Sequence, residues 1–251
     1  MPLKKLKTAN HTFRTWHRRL GLATCLLLIV LALSGVLINH AHQMGLDQRG
    51  VKISWLLDYY GIGQPRNIMQ FSQDPASLIA IDNQLWLDQQ FLLESTVPVL
   101  AAVWYQQQII AIDAKQLYIF DRQGQLLETQ NDSSGLTPPL VDLSISAKGE
   151  PLLSTQHGLL IADEQLLDWQ SVDANDTAVG DSSMSQATTI NPDLLIQARS
   201  RHLTWERVIL DLHSGRLFGA WALWLWDFVA LVILFLSLSG LWMWRHKKFR
   251  R

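Results

Sequence analysis

Two apolar runs, residues 20–39 and 217–244, limit this chain more than any other feature. The first holds no charge and the second only Asp227. A helix rises about 1.5 Å per residue, so a run of about twenty residues reaches about 30 Å, the thickness of a bilayer's hydrocarbon core. Each run therefore predicts a membrane-spanning helix. The 251 residues divide into a basic head (1–19), a first span (20–39), a long loop, a second span (217–244) and a basic tail (245–251).

Charge sets the orientation. The head carries Lys4, Lys5, Lys7, Arg14, Arg18 and Arg19, the tail Arg245, Lys247, Lys248, Arg250 and Arg251, and neither holds an acid. Every acidic residue except Asp227 falls between the spans. Basic flanks stay inside, which predicts both termini in the cytoplasm and the loop outside a bacterial-type inner membrane. The first span is longer than a signal-peptide core, and "NHAHQM" after it offers no small-x-small cleavage site, so an uncleaved anchor is expected. A net charge of −1 suggests no nucleic-acid partner. Cys25, the single cysteine, precludes an internal disulfide and reads as a packing residue.

The loop reads as an extracytoplasmic, mainly β domain over 40–172. "SLIAIDNQLWLDQQFLLES", "QIIAIDAKQLYIFDRQGQLLET" and "GLLIADEQLLDWQSV" alternate short apolar runs with turn signals, and Asp82, Asp113 and Asp163 mark the first turn of each. The uneven spacing of the copies predicts an antiparallel meander, either propeller-like or a small sandwich or open barrel. "SWLLDYYGI" predicts a short amphipathic helix or turn. Residues 173–193 are small and polar and read as a flexible linker, followed by a juxtamembrane helical segment over 194–216. No nucleophile elbow, phosphate loop or zinc spacing appears, which argues against an enzyme with a soluble active site. His157 and His202 stand alone.

The other candidate residues gather at the span ends. His17 and His246 flank the spans on the inner side, and His40 or His42 and His213 on the outer side. Such pairs could ligate haem b from facing helices, with Arg216 pairing a propionate, although interfacial residues need no ligand and the tryptophans form an aromatic belt. Asp227, costly by about 2.5–3.5 kcal/mol at a helix centre, is expected to face the first helix and bond the group around Ser34, Asn39 and His40. Its alternative is to snorkel among Trp221, Trp224 and Trp226.

"ERVILDLHSGRLFGAWALWLWDFVALVILFLSLSGLWMWRHKK" (206–248) resembles the C-terminal helix of PepSY-associated transmembrane proteins. The matching positions are Leu212, His213, Ser214, Gly215, Arg216, Asp227, Ser239, Gly240, Leu241 and Trp244. "RTWHRRLGLATCLLLIVLALSGVLINH" (14–40) is similar to that family's first helix at His17, Leu20, Gly21, Ser34 and Gly35. Larger relatives have four helices, and some are associated with reducing ferric siderophores through membrane haem. The first expectation is an inner-membrane protein whose periplasmic domain senses or binds a ligand and acts through a membrane or periplasmic protein partner. The resemblance implies two others: a haem-binding electron-transfer subunit linked to iron uptake, built as a homo-oligomer or with a partner, and a regulator of a periplasmic peptidase.

Overall fold

The computed structural model describes residues 2–72, 76–173, 185–186 and 190–248. They form two compact units, 1–51 with 200–251, and 52–199.

The first unit carries both spans. Helix α1 runs Pro2–Asn39, so the basic head and the first span share one helix. Residues Arg14–Asn39 of α1 and Ala220–Arg245 of the C-terminal helix are long and apolar enough to cross a bilayer. After α1 the chain turns, with Gly45 in the left-handed region at φ 65°, and meets the returning strand of chain. Val51 N donates to the Leu203 carbonyl, Trp205 N to that of Arg49 and Glu206 N to that of Leu46. Gly50 must be glycine here, because a Cβ would stand 2.4 Å from the Ser200 carbonyl oxygen. Helix α4, Trp205–His213, starts at Thr204, whose hydroxyl accepts from Arg207 N. A 3-10 turn, Arg216–Phe218, leads to α5, Ala220–Lys248.

The second unit begins with α2, Ser54–Tyr59, the helix predicted there, which buries Leu56 and Leu57. Three antiparallel sheets follow. Strands β1 (Ile68–Ser72), β2 (Leu78–Ile81), β3 (Gln84–Leu87) and β4 (Gln90–Glu94) form the first, in sequence order. β5 (Val99–Tyr105), β6 (Gln108–Asp113), β7 (Leu117–Asp121) and β8 (Leu126–Gln130) form the second. β9 (Leu140–Ile145), β10 (Pro151–Thr155), β11 (Gly158–Ala162) and β12 (Trp169–Val172) form the third. Within the stretch read as a linker, Ser185–Gln186 pairs with β1 as β13, while 174–184 and 187–189 lie outside the described residues. Helix α3, Pro192–Ser200, ends the unit, so the expected single helical segment is α3 and α4 with a turn between them.

Period-two alternation explains the stacking. On the second sheet Ala102, Ile109, Ala111, Tyr118 and Phe120 face Leu78, Ala80, Leu85 and Leu87 of the first. Their neighbours Ala101, Ile110, Ile112, Leu117 and Ile119 face Leu140, Leu143 and Leu153 of the third. Strands β6 and β7 are therefore apolar on both faces and read as continuous hydrophobic runs. The far face of the first sheet, through Ile79, Ile81 and Trp86, packs on Leu194 and Ala198 of α3. This is the meander of the sequence reading, with three blade-like sheets stacked face to face.

The recurring aspartates close turns, but not in one register. Asp82, at φ 52°, and Asp113 follow the second strands of their sheets, whereas Asp163 follows the third of its own. The third copy is out of step by one strand, matching Asp121 and not Asp113. Asp82 accepts from the backbone of Arg66 and Asn67, and Asp163 from that of Leu167 and Asp168. Asp113 is 1% exposed and accepts from Lys115 N, Gln116 N, the Ser95 hydroxyl and the Tyr118 hydroxyl.

Removing that acceptor strips a partner from the buried Ser95 hydroxyl and from two turn N–H groups, so Asp113→Ala should cost about 2–3 kcal/mol in urea unfolding. Tyr118 gives a pH signature: burial, chiefly, pushes its phenol from 10.0 up to about 12. The neutral phenol is favoured by folding, so its contribution is complete below pH 10 and is lost as pH rises toward 12. Stability should therefore fall over that interval more steeply in the native protein than in Tyr118→Phe.

Candidate functional site

Two histidines of the first unit are held in the same way at opposite ends of the helix pair. His213, the last residue of α4, brings Nδ1 to 2.8 Å from the Ser34 hydroxyl on α1. His17 on α1 brings Nδ1 to 2.9 Å from the Ser239 hydroxyl on α5. Both serines are buried, and each hydroxyl hydrogen has a backbone acceptor: Ser34 donates to the Val30 carbonyl at 2.7 Å, and Ser239 to that of Leu236 at 3.0 Å. With its hydrogen so engaged, each hydroxyl presents a lone pair to the ring, and Nδ1–H is the donor. In the neutral ring this leaves Nε2 with its lone pair, able to ligate a metal or accept a proton. This tautomer follows from the hydrogen-bond network.

A glycine lies beside each serine, in ordinary contact distance of the imidazole. A Cβ on Gly35 would lie 3.5 Å from His213 Cε1, and one on Gly240 would lie 3.6 Å from His17 Cε1. The motif Leu-Ser-Gly at 33–35 thus receives the histidine before α5, and the same motif at 238–240 receives the histidine of α1. The helices run antiparallel, and the two imidazoles stand about 25 Å apart along α1.

The turn between α4 and α5 fixes His213 from its other side. Gly215 and Gly219 adopt φ of 79° and 88°, which L side chains resist. Trp226, nearly two turns into α5, folds back so that its Nε1 donates to the His213 carbonyl at 2.9 Å. Its ring fills the space beside Gly215, where a Cβ would meet Cδ2 at 2.8 Å, and leans on Phe218 with centroids 6.0 Å apart. The Leu-His-Ser-Gly-Arg segment is therefore a scaffold for one imidazole.

The remaining predicted residues fall elsewhere. His40 is exposed, with Nδ1 on Gln43 Oε1 at 2.8 Å, and His42 pairs with Asp47 at 2.8 Å. The Asp47 carboxylate raises the His42 pKa, and His42 in turn lowers that of Asp47. Among the described residues no hydrogen bond joins either histidine to His213. Helix α5 reaches the position of His246, whose side chain lies outside the described residues. Arg216 is exposed beside the turn.

Asp227 does not bond the Ser34 group, because Ser34 is taken by His213. Counting about 18 Å back from Ser239, and the same rise up α1 from His17, puts Asp227 level with Ile29, about 7 Å short of Ser34. It is exposed, on the face of α5 about 160° from buried Val229. Sequence reasoning placed Ser34, Gly35, Ser239 and Gly240 in motifs without assigning them as histidine partners. The repeated Leu-Ser-Gly was the available signal.

The second unit has an open cavity of about 400 Å³ lined by Trp104, Tyr105, Ile145, Lys148, Glu150 and Glu164. Among the described residues no three His, Cys, Asp or Glu side chains gather as a metal site.

The sequence matches, over residues 2–247, the family described as PepSY-associated TM region. No curated protein matches it. Among solved structures it is similar to the N-terminal domain of Nup159, at 14% identity and TM-score 0.31, over 44% of this chain and 34% of that one. It is also similar to the Pan2 WD40 domain of Neurospora crassa, at 17% identity and TM-score 0.32, over 46% of this chain and 39% of that one. The chain thus spans little more than a third of each.

Gly215→Ala should destabilise the detergent-solubilised protein by more than about 1 kcal/mol, since it meets both a strained φ and the Trp226 ring. Gly35→Ala, whose Cβ makes an ordinary contact, should change stability by less than about 0.5 kcal/mol. Thermal unfolding of the two variants side by side checks the contrast.

Proposed function

The chain belongs to the family of PepSY-associated TM regions, and from that premise we propose that it is an inner-membrane electron-transfer subunit that holds haem b through His213 and His17. The basic head and tail remain in the cytoplasm, and the acidic central domain lies in the periplasm. His213 then stands at the outer side of the membrane and His17 at the inner side.

The observation that carries this reading is the pair of relays from imidazole through serine to backbone carbonyl. A haem ligand needs its other ring nitrogen held by an acceptor, so that Nε2 keeps its lone pair and its direction. Ser34 and Ser239 would perform that task, each holding Nδ1 of its histidine. Haem, when bound, supplies reversible one-electron exchange at its iron. His213 and His17 would hold the group, with a second histidine at each level drawn from His40, His246 or another copy of the chain, and Arg216 would be available to a propionate. Acceptors of the ferric-siderophore class, and with them a place in iron uptake, are the substrates this reading would take.

The open cavity of the central domain, with an aromatic wall and mixed charges, supports a second reading, a periplasmic binding domain that acts through a membrane partner without haem. Absorption spectroscopy separates the two. Membranes enriched in the protein should show a reducible b-type spectrum, reduced by at least about half in His213→Ala. Ser34→Ala should weaken haem retention by about 10- to 100-fold while leaving expression unchanged. Enriched protein that stays colourless with ample haem would remove the electron-transfer reading.

A further inference from the structure

Among the described residues the one charged side chain of the two spans, Asp227, has no partner. Asp227 is exposed on α5, and among the described residues it has no hydrogen bond or ion pair. Helix α5 begins at Ala220, so Asp227 lies about 10 Å along the helix, below the exposed Trp221 and Trp224. Tryptophan marks the interface, which places the carboxylate one turn into the hydrocarbon. Lipid tails cannot bond it there, and intramembrane acids are found paired or facing a polar partner.

The face around it is continuous. Trp224, Leu231, Leu234 and Leu238 are exposed within about 60° of Asp227 around α5. The seam toward α1 lies about 120–160° away around the helix, with Ala222, Val229 and Ser239 buried. A second copy of this chain offers no counter-charge, since residues 20–39 and 217–244 contain no Lys, Arg or His. A symmetric dimer about this face would set one carboxylate against another.

We propose that this face of α5 docks a transmembrane helix of a different protein, one that carries a lysine or arginine in the hydrocarbon level with Asp227. The carboxylate supplies the recognition and the flanking apolar side chains the packing. A buried opposite charge is the chemistry that satisfies an acid in lipid. The contact is independent of haem.

The test uses the full-length protein, fluorescently labelled at its C-terminal end, in phosphatidylcholine vesicles. The probe is an acceptor-labelled polyleucine helix with one lysine about 10 Å from one end of its apolar stretch. Energy transfer to this peptide should exceed that to an all-leucine peptide by at least about threefold, and should fall to the all-leucine level with Asp227→Leu. The substitution lies on an exposed face, so the variant should keep its thermal unfolding temperature, which shows that it is folded. Equal transfer to both peptides, or transfer undiminished in Asp227→Leu, would overturn the proposal. So would Asp227-dependent transfer between differently labelled copies of the protein, because that places a second copy on this face.

Discussion

In a bilayer, lipid tails are as apolar as leucine, so the hydrophobic effect gives two helices no reason to prefer each other to lipid. What holds α1 against α4 and α5 must come from close packing and from polar groups with no other partner. The two histidine–serine contacts supply both at once. Each serine hydroxyl would close on its own helix's carbonyl in any case, as such residues do. That closure turns its lone pair outward, and a histidine on the neighbouring segment meets it. Because the contacts sit at opposite ends of the pair, they set register and crossing together, and a slide of one turn would break both.

The spans, their antiparallel return and the β character of the loop were legible because each rests on local pattern: length without charge, basic flanks, and period-two alternation broken by aspartate turns. The three-sheet stack was less so. Strands β6 and β7 are apolar on both faces, and a short continuous apolar run does not say what lies on either side. The third aspartate repeat looked equivalent to the first two, yet a motif of strand, Asp and strand fits any hairpin of a meander, and Asp163 sits one hairpin later.

At the candidate site, sequence found the histidines and their motifs but not their partners. His40 and His213 lie at the same ends of the spans, so pairing them was natural. The turn after α4 changes this, because Gly215 and Gly219 fold the chain so that His213 reaches down to Ser34, while His40 points into its own turn with Gln43. The same fold shifts the depth scale. Ser34 lies opposite the α4–α5 turn and not opposite Asp227, so aligning the spans by their outer ends misplaced the carboxylate by more than a helical turn. Nothing in the residue pattern alone reports a glycine-built reversal of that size.

The distribution of polar groups around the pair then separates two kinds of contact. Ser34 and Ser239 lie on the seam and are satisfied within the chain, by carbonyls and imidazoles that the fold itself supplies. Asp227 lies on the far side, where among the described residues no hydrogen bond or ion pair reaches it. A carboxylate intended for the seam would have needed only a shift of two positions, to 229, where the helix faces α1 and Val229 is buried. Its place on the outer face fits the proposed partner helix, just as the fixed tautomers of His17 and His213 fit the proposed haem. The seam organises what the chain holds for itself, and the outer face carries the charge that the proposed partner would meet.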